Sequence, residues 1–175
     1  DCAATTPLAS EVLEAMAECF SVPSPAGARD TACAQIANRV GTTAESLRLL
    51  PGGTAANNYA IRGLARAAGP GRIISQPTEH PSVLGPLSAL RAEGFQLELL
   101  PVNRDGVVDP EDLRLALANE RVSLVSIMYA NHETGVRQPT RSLASLCQAA
   151  GVPFHVDAVQ GLRSEALTLS STGAD

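Results

Sequence analysis

Short apolar runs alternate with amphipathic segments from residue 47 to residue 156, and this pattern restricts the possible folds most strongly. The runs predict strands at 47–50, 72–76, 95–100, 122–129 and 152–156. Helices are predicted at 54–68 and 82–93, from Pro110 onward, and from Thr140, as a cap, to Gly151. Such alternation predicts an α/β fold whose mostly parallel sheet carries helices on both faces. Ligands of such sheets bind beyond the carboxyl ends of the strands.

Two helices are predicted ahead of this region. The first begins at Pro7 and places large apolar side chains on one face every four residues: Leu8, Val12, Met16 and Phe20. The second covers Ala28 to Val40, ends at Gly41 and turns three side chains inward: Ala32, Ile36 and Val40.

Composition excludes several classes of protein. The 175 residues fit one domain, and 45% hydrophobic with 18% charged residues is ordinary for a soluble globular protein. A formal charge of -5 argues against nucleic acid or an anionic membrane as a partner. No apolar run reaches the length of a membrane span, and the first residues show neither the basic region nor the apolar stretch of a signal peptide, so we expect a cytoplasmic protein.

The cysteines show neither CxxC spacing nor a metal-finger pattern, so no metal site is predicted. Cys19, Cys33 and Cys147 lie in alanine- and leucine-rich helical segments. We interpret them as small buried hydrophobic residues in a reducing compartment.

A glycine pair precedes the helix at 54–68. Gly52 and Gly53 would let the backbone approach an anion, while the free N–H groups of the helix start and the Thr54 hydroxyl donate to it. The alternative is a plain tight turn with Thr54 as the helix cap. A nucleotide P-loop is excluded, because that motif requires a lysine.

Two further polar clusters follow predicted strands. His80, fixed before Pro81, would stack on a planar ring and move protons, although most single histidines do neither. Its neighbour Glu79 has the alternative of a solvated loop carboxylate or a helix-start charge. Asn131 is placed to donate to a ligand oxygen, the alternative being an ordinary Asn/Gly turn.

The fourth cluster surrounds Asp157 at the end of an apolar strand. A carboxylate there needs a partner, which a cationic ring nitrogen would supply. The competing interpretation makes Asp157 a cap for the next segment. His155 shares its strand face, where it packs or supports Asp157.

In this order, the clusters resemble the class V aminotransferase group of fold-type I pyridoxal-phosphate (PLP) enzymes, and most closely cysteine desulfurases of the NifS/IscS type. The matching segments are 3–7, 52–54, 57–61, 79–84, 105–109, 128–139 and 154–160. The resemblance implies the large domain of that fold, incomplete at its C-terminus. It assigns residues 1–15 to a segment leading into this domain, 16–175 to the partial PLP-binding domain, and the small domain to missing sequence.

The resemblance also implies how PLP is held. Gly53 and Thr54 would bind the phosphate, and Asn131 and Gln160 would lie on the side of the phenolic oxygen.

Two residues would take part more directly in the reaction. His80 would stack on the pyridine ring and act as the catalytic acid/base. Asp157 would pair with the pyridine nitrogen and keep it protonated, which makes the ring a better electron sink.

The chain also departs from the family pattern. PLP enzymes hold the cofactor as a Schiff base on a lysine, but all 13 Lys and Arg residues here are arginines. The family's lysine, persulfide cysteine and late substrate-binding arginine would all follow residue 175, so we expect a fragment that is inactive by itself. Within the chain Pro51, Ala55 and His132 replace a common serine, glutamate and asparagine.

The activity implied is conversion of L-cysteine to L-alanine, with the sulfur left as an enzyme persulfide for iron–sulfur cluster or thio-cofactor synthesis. The implied partners are the amino acid, a second copy in a homodimer, and a sulfur acceptor or iron–sulfur scaffold protein. One alternative is a selenocysteine lyase or cystine C–S lyase of the same family. Another, of a different class, is a non-catalytic homologue that binds a partner, or PLP without a Schiff base. A dinucleotide-binding domain fits worse, because no GxGxxG follows a strand.

Overall fold

A computed structural model describes residues 7–21, 26–164 and 167–175. The chain divides into two compact units, Asp1–Arg48 and Leu49–Asp175. The second unit contains all four strands of the described residues.

Both predicted helices of the first unit are confirmed, as α1 (Ser10–Ser21) and α2 (Ala26–Val40). A 3₁₀ turn follows at Ala44–Ser46. Gly41, with φ of +73°, ends α2 in the left-handed region that favours glycine. Every side chain of α1 is exposed, including the predicted apolar face. In α2 the inward position is Ala37, and the prediction for Ile36, which is exposed, was wrong.

The predicted parallel sheet is confirmed. Its strands are β1 (Arg72–Ser75), β2 (Gln96–Leu99), β3 (Val122–Ser126) and β4 (Phe154–His155), all parallel, in the order β2-β1-β3-β4. The strand predicted at 47–50 was wrong. Those residues have no strand structure, and Leu49 and Leu50 are exposed, because no neighbouring strand is paired with this apolar run.

The second unit's longer helices are α3 (Gly53–Ala68), α4 (Pro81–Arg91), α5 (Pro110–Leu117) and α6 (Thr140–Ala150). The short α7 (Gly161–Ser164) and α8 (Leu169–Thr172) follow. Asp109 caps α5 as predicted, its side chain accepting from the Glu111 N–H. The Thr140 cap was wrong: Thr140 is the first residue of α6, and Pro139 holds the cap position.

Neighbouring residues of the central strands pack on opposite faces of the sheet. Ile73 and Leu124 pack with α3 and α4, whereas Ile74 and Val125 pack with α5 and α6. Helices therefore cover both faces, as predicted. From β1 the chain runs first to β2 on one side and later to β3 on the other. In sheets of this kind, such a reversal marks the crevice, here at the carboxyl ends of β1 and β3, where ligands bind.

Candidate active site

Four polar segments meet around this crevice. Glu79 and His80 follow β1, Asn131 follows β3, and Asp157 follows β4. Asn57, on the second turn of α3, reaches them from the helix layer. Three of the four motifs singled out in the sequence therefore lie at one edge of the sheet, because the ends of parallel strands share that edge. The glycine motif begins α3 instead, and Asn57 of that helix reaches the same edge.

Asp157 is 9% exposed, and both carboxylate oxygens accept hydrogen bonds. Oδ2 accepts from Asn57 Nδ2 at 2.8 Å, and Oδ1 accepts from the backbone N–H of Val159 at 3.1 Å. The second contact, with a backbone N–H two residues further on, is the local cap that the competing interpretation described. The contact with Asn57 joins residues 100 positions apart in the sequence, and no sequence pattern predicted it.

His80 occupies the cap position of α4, with Pro81 as the first helical residue. Its Nδ1 accepts from the backbone N–H of Ser82 at 3.1 Å and lies 2.7 Å from the Ser82 hydroxyl. The ring also meets His132 edge to face, with centroids 5.1 Å apart. The sequence analysis did not single out Ser82 or Asn57. The proline after His80 is typical of a helix start and could have indicated that His80 is the cap.

Glu79 is buried, so the alternative of a solvated loop carboxylate was wrong. Its side chain bonds to other segments rather than to the first N–H groups of α4. Oε1 accepts from the Met128 N–H at 2.7 Å and from Gln76 Nε2 at 3.0 Å, which ties the segment after β1 to the end of β3. Oε2 is buried without a hydrogen-bond partner among the described residues. Burial, with the nearby charge of Asp157 as a smaller cause, raises the pKa of Glu79 from 4.5 to about 7.

Asn131 is buried and organises its own turn. Oδ1 accepts from the backbone N–H groups of Glu133 and Thr134 and from the Thr134 hydroxyl, while Nδ2 donates to the Thr78 carbonyl at 2.9 Å. The turn alternative is therefore confirmed. Donation to a ligand oxygen stays a prediction, and it would have to replace one of the two contacts of Nδ2, with the Thr78 carbonyl or with Met128 Sδ at 3.5 Å.

The start of α3 is exposed at Gly53 and Thr54, and no side chain of the described residues caps it. Its first N–H groups therefore have no partner within the helix and are available to an anion. Gly52 holds the cap position and Thr54 lies inside the helix, so the alternative of Thr54 as the cap was wrong. A Cβ at Gly53 would lie 3.1 Å from Val159 Cγ2, which places the helix start beside the segment that carries Asp157 and Gln160.

His155 packs behind the site. Its Nδ1 is 2.9 Å from the Ser126 hydroxyl, and burial lowers its pKa to about 4, with the charge of Asp157 opposing the change. The ring is therefore neutral near pH 7, in agreement with the packing role predicted for it.

The cysteines divide by burial. Cys147 is buried in the core as predicted, and burial raises the pKa of its thiol to about 12. Cys33 is half-buried and Cys19 is exposed, so the prediction for Cys19 was wrong.

Across residues 7–21, 26–164 and 167–175, no cluster of His, Cys, Asp and Glu side chains could hold a metal ion. Within the same ranges, no helix combines the length and apolar character of a membrane span.

The whole chain, residues 1–175, matches the family model for class-V aminotransferases. The chain belongs to the class-V aminotransferase family. Members of this family depend on PLP.

Among curated class-V relatives, the chain is 38% identical to cysteine desulfurase IscS of Dictyoglomus turgidum, over 100% of this chain and 48% of that protein. It is 35% identical to human cysteine desulfurase, over 93% of this chain and 38% of that protein. The chain thus spans about half, or less, of the length of these relatives.

Solved structures agree on the fold. A NifS-like protein superposes with a TM-score of 0.90 at 28% identity, over 100% of this chain and 52% of that one. SspA in complex with cysteine superposes with a TM-score of 0.89, also at 28% identity, over 100% of this chain and 54% of that one. The class-V large-domain architecture inferred from the sequence is therefore confirmed.

The charges at the crevice fit a class-V cofactor. Asp157 and Glu79 are both buried carboxylates, and neither forms an ion pair with any residue that the structure describes. Buried carboxylates without a cation are costly. A protonated pyridine nitrogen would offset that cost at Asp157.

Glu79 also makes the stability of the protein depend on pH. Because its folded pKa lies above 4.5, the folded state holds a proton that the unfolded state has lost between pH 4.5 and about 7. The unfolding free energy therefore falls as pH rises through this window, by about 3 kcal/mol in total.

We expect Glu79→Gln, which keeps the Oε1 acceptor, to remove this fall. Denaturation of the cofactor-free protein at pH 5 and pH 8 measures the unfolding free energy. The variant should gain stability relative to wild type at the higher pH. An equal difference at both pH values would contradict the prediction. Glu120→Gln, at an exposed side chain between α5 and β3, is the matched control.

Proposed function

We propose that this chain is the N-terminal portion of a PLP-dependent cysteine desulfurase, which converts L-cysteine to L-alanine and retains the sulfur as an enzyme persulfide. Its relatives carry that name at 38% and 35% identity, and one similar structure was solved with cysteine. Within the proposal, residues 1–15 lead into the large domain and residues 16–175 form its PLP-binding part.

The observation that carries the proposal is the pairing of an uncapped helix start with a buried, unpaired carboxylate. The start of α3 attracts a phosphate, and Asp157 attracts a cationic ring nitrogen. The two sites are close to each other, because a Cβ added at Gly53 would lie 3.1 Å from Val159 Cγ2, two residues after Asp157. PLP carries both groups on a single molecule.

Bound PLP supplies an electron-withdrawing ring that stabilises negative charge on the substrate's α-carbon. Asp157 would hold the proton on the ring nitrogen, and Gly53 and Thr54 would bind the phosphate. His80 would stack on the ring and carry a proton, while Asn131 and Gln160 would contact the ring's oxygen side. Gln160 is half-buried on the turn after Asp157, a position compatible with this role.

The remaining machinery belongs to sequence outside this chain. The proposal requires a lysine for the Schiff base and a cysteine for the persulfide, and the chain has no lysine. It also includes a homodimer, a cytoplasmic location and transfer of sulfur to an acceptor or iron–sulfur scaffold protein.

The test is an assay of the full-length protein that contains this chain. With PLP and L-cysteine, we expect equal amounts of alanine and enzyme-bound or reductant-released sulfur. Formation of alanine only from selenocysteine, or of pyruvate from cystine, would replace cysteine desulfuration with one of the rival activities. Failure to bind PLP at all would support a non-catalytic homologue.

A further inference from the structure

A continuous line of hydrogen bonds joins Asp157 to His80 through two residues for which the family motifs predict no role. Asn57 Nδ2 donates to Asp157 Oδ2 at 2.8 Å and to Ser82 Oγ at 2.9 Å. Ser82 Oγ lies 2.7 Å from His80 Nδ1. Asn57 and Ser82 are 5% and 8% exposed, so water does not compete freely for these contacts.

The charge of Asp157 fixes the direction of the line. An ionised carboxylate only accepts hydrogen bonds, so the amide of Asn57 must turn its NH₂ group toward Asp157. The second hydrogen of that group then points at Ser82 Oγ, which accepts it. The single hydrogen of the Ser82 hydroxyl is thereby free to donate to His80 Nδ1.

The backbone imposes the same arrangement on the ring. The N–H of Ser82 points at His80 Nδ1 from 3.1 Å, as part of the cap of α4. A proton on Nδ1 would face this N–H group, placing two donors against each other. Nδ1 is therefore an acceptor, and the proton of the neutral ring lies on Nε2.

We propose that Asn57 and Ser82 are positioning residues that connect Asp157 to His80 and hold His80 in the tautomer with its proton on Nε2. This inference rests on the proposed function only for the use of that proton. In this tautomer His80 offers a hydrogen-bond donor at Nε2, and Nε2 cannot act as a base until it has given its proton away. The role of His80 at Nε2 is thus that of a hydrogen-bond donor.

The tautomer can be measured without any turnover. Nitrogen-15 NMR of the cofactor-free, full-length protein labelled at histidine distinguishes protonated from unprotonated ring nitrogens. The resonances of His80 are identified by their loss in His80→Gln. We expect an unprotonated Nδ1 and a protonated Nε2, and the opposite pattern would overturn the proposal.

Two variants test the connecting residues. Ser82→Ala leaves only the backbone N–H to hold Nδ1, and Asn57→Leu removes the donor that directs the Ser82 hydroxyl toward Nδ1. In each variant the form protonated at Nδ1 should become detectable. We expect kcat to fall roughly 10- to 100-fold, with the KM for cysteine within about twofold of wild type. Ser82→Thr, which keeps a hydroxyl, should restore both readouts. An unchanged His80 spectrum in both variants would show that Asn57 and Ser82 do not set the tautomer.

Ser123→Ala is the matched control. It removes another buried serine hydroxyl, which donates to the Gly69 carbonyl at the opposite end of the sheet. It should leave the His80 spectrum and kcat unchanged. The two proposals fail in different ways. If the protein forms no alanine but His80 is protonated at Nε2, the proposed function is wrong. If His80 is protonated at Nδ1, the proposal about Asn57 and Ser82 is wrong, whatever the activity.

Discussion

Asp157→Ala in the full-length protein is expected to weaken PLP retention and abolish measurable cysteine turnover. The substitution removes the carboxylate that would pair with the ring nitrogen, and it leaves Asn57 Nδ2 without one of its two acceptors. Breaking a buried charge pair costs about 3–5 kcal/mol, so PLP affinity should fall at least roughly 100-fold. Equilibrium dialysis against PLP and an alanine-formation assay measure the two effects.

Asp175→Ala provides the comparison for this variant. Asp175 is also a carboxylate bound to β4, but its Oδ2 accepts from the Phe154 N–H at the other end of the strand. The Asp175→Ala variant should retain PLP and activity even if its free energy of unfolding falls. Wild-type turnover in Asp157→Ala would disprove the assignment of Asp157 to the ring nitrogen.

Leu124→Ala is expected to destabilise the second unit by roughly 2–5 kcal/mol. Leu124 is fully buried in the centre of β3, where it packs with the side chains of α3 and α4. Truncation leaves a cavity in a close-packed aliphatic layer and removes the contacts of the isobutyl group. Urea denaturation of the full-length protein, followed by a probe in this domain, measures the loss.

Leu115→Ala is the matched control, because it makes the same chemical change at a side chain that is 51% exposed on α5. Its effect should stay within about 0.5 kcal/mol, as for most surface substitutions. Equal effects of the two substitutions would contradict the assignment of Leu124 to the core.

Local signals predicted the elements well where the tertiary structure used them. Pro110 after Asp109 marked a helix start, and Gly41 marked a helix end. Apolar patterns gave wrong predictions where strand pairing or packing decided the outcome. The apolar run at 47–50 had no strand beside it, and the apolar face of α1 is exposed.

The candidate site shows the same division. The sequence pointed to Asp157 and His80 because each follows a predicted strand, and parallel strands end at one edge. It left Glu79 between a solvated loop carboxylate and a helix-start charge, since nothing local showed that the end of β3 would cover it and donate its Met128 N–H. The alternative of Thr54 as the cap failed because α3 begins at Gly53, with Gly52 at the cap position.

The sequence by itself determined the parallel α/β architecture, the membership of the class-V family and the segments that lie at the carboxyl edge of the sheet. These depend on periodicity and on ordered local motifs, which are written along the chain. The tertiary structure alone decided that Asn57 and Ser82 connect Asp157 to His80. That contact joins residues 100 positions apart, and it exists because the order β2-β1-β3-β4 brings α3, the end of β1 and the end of β4 together.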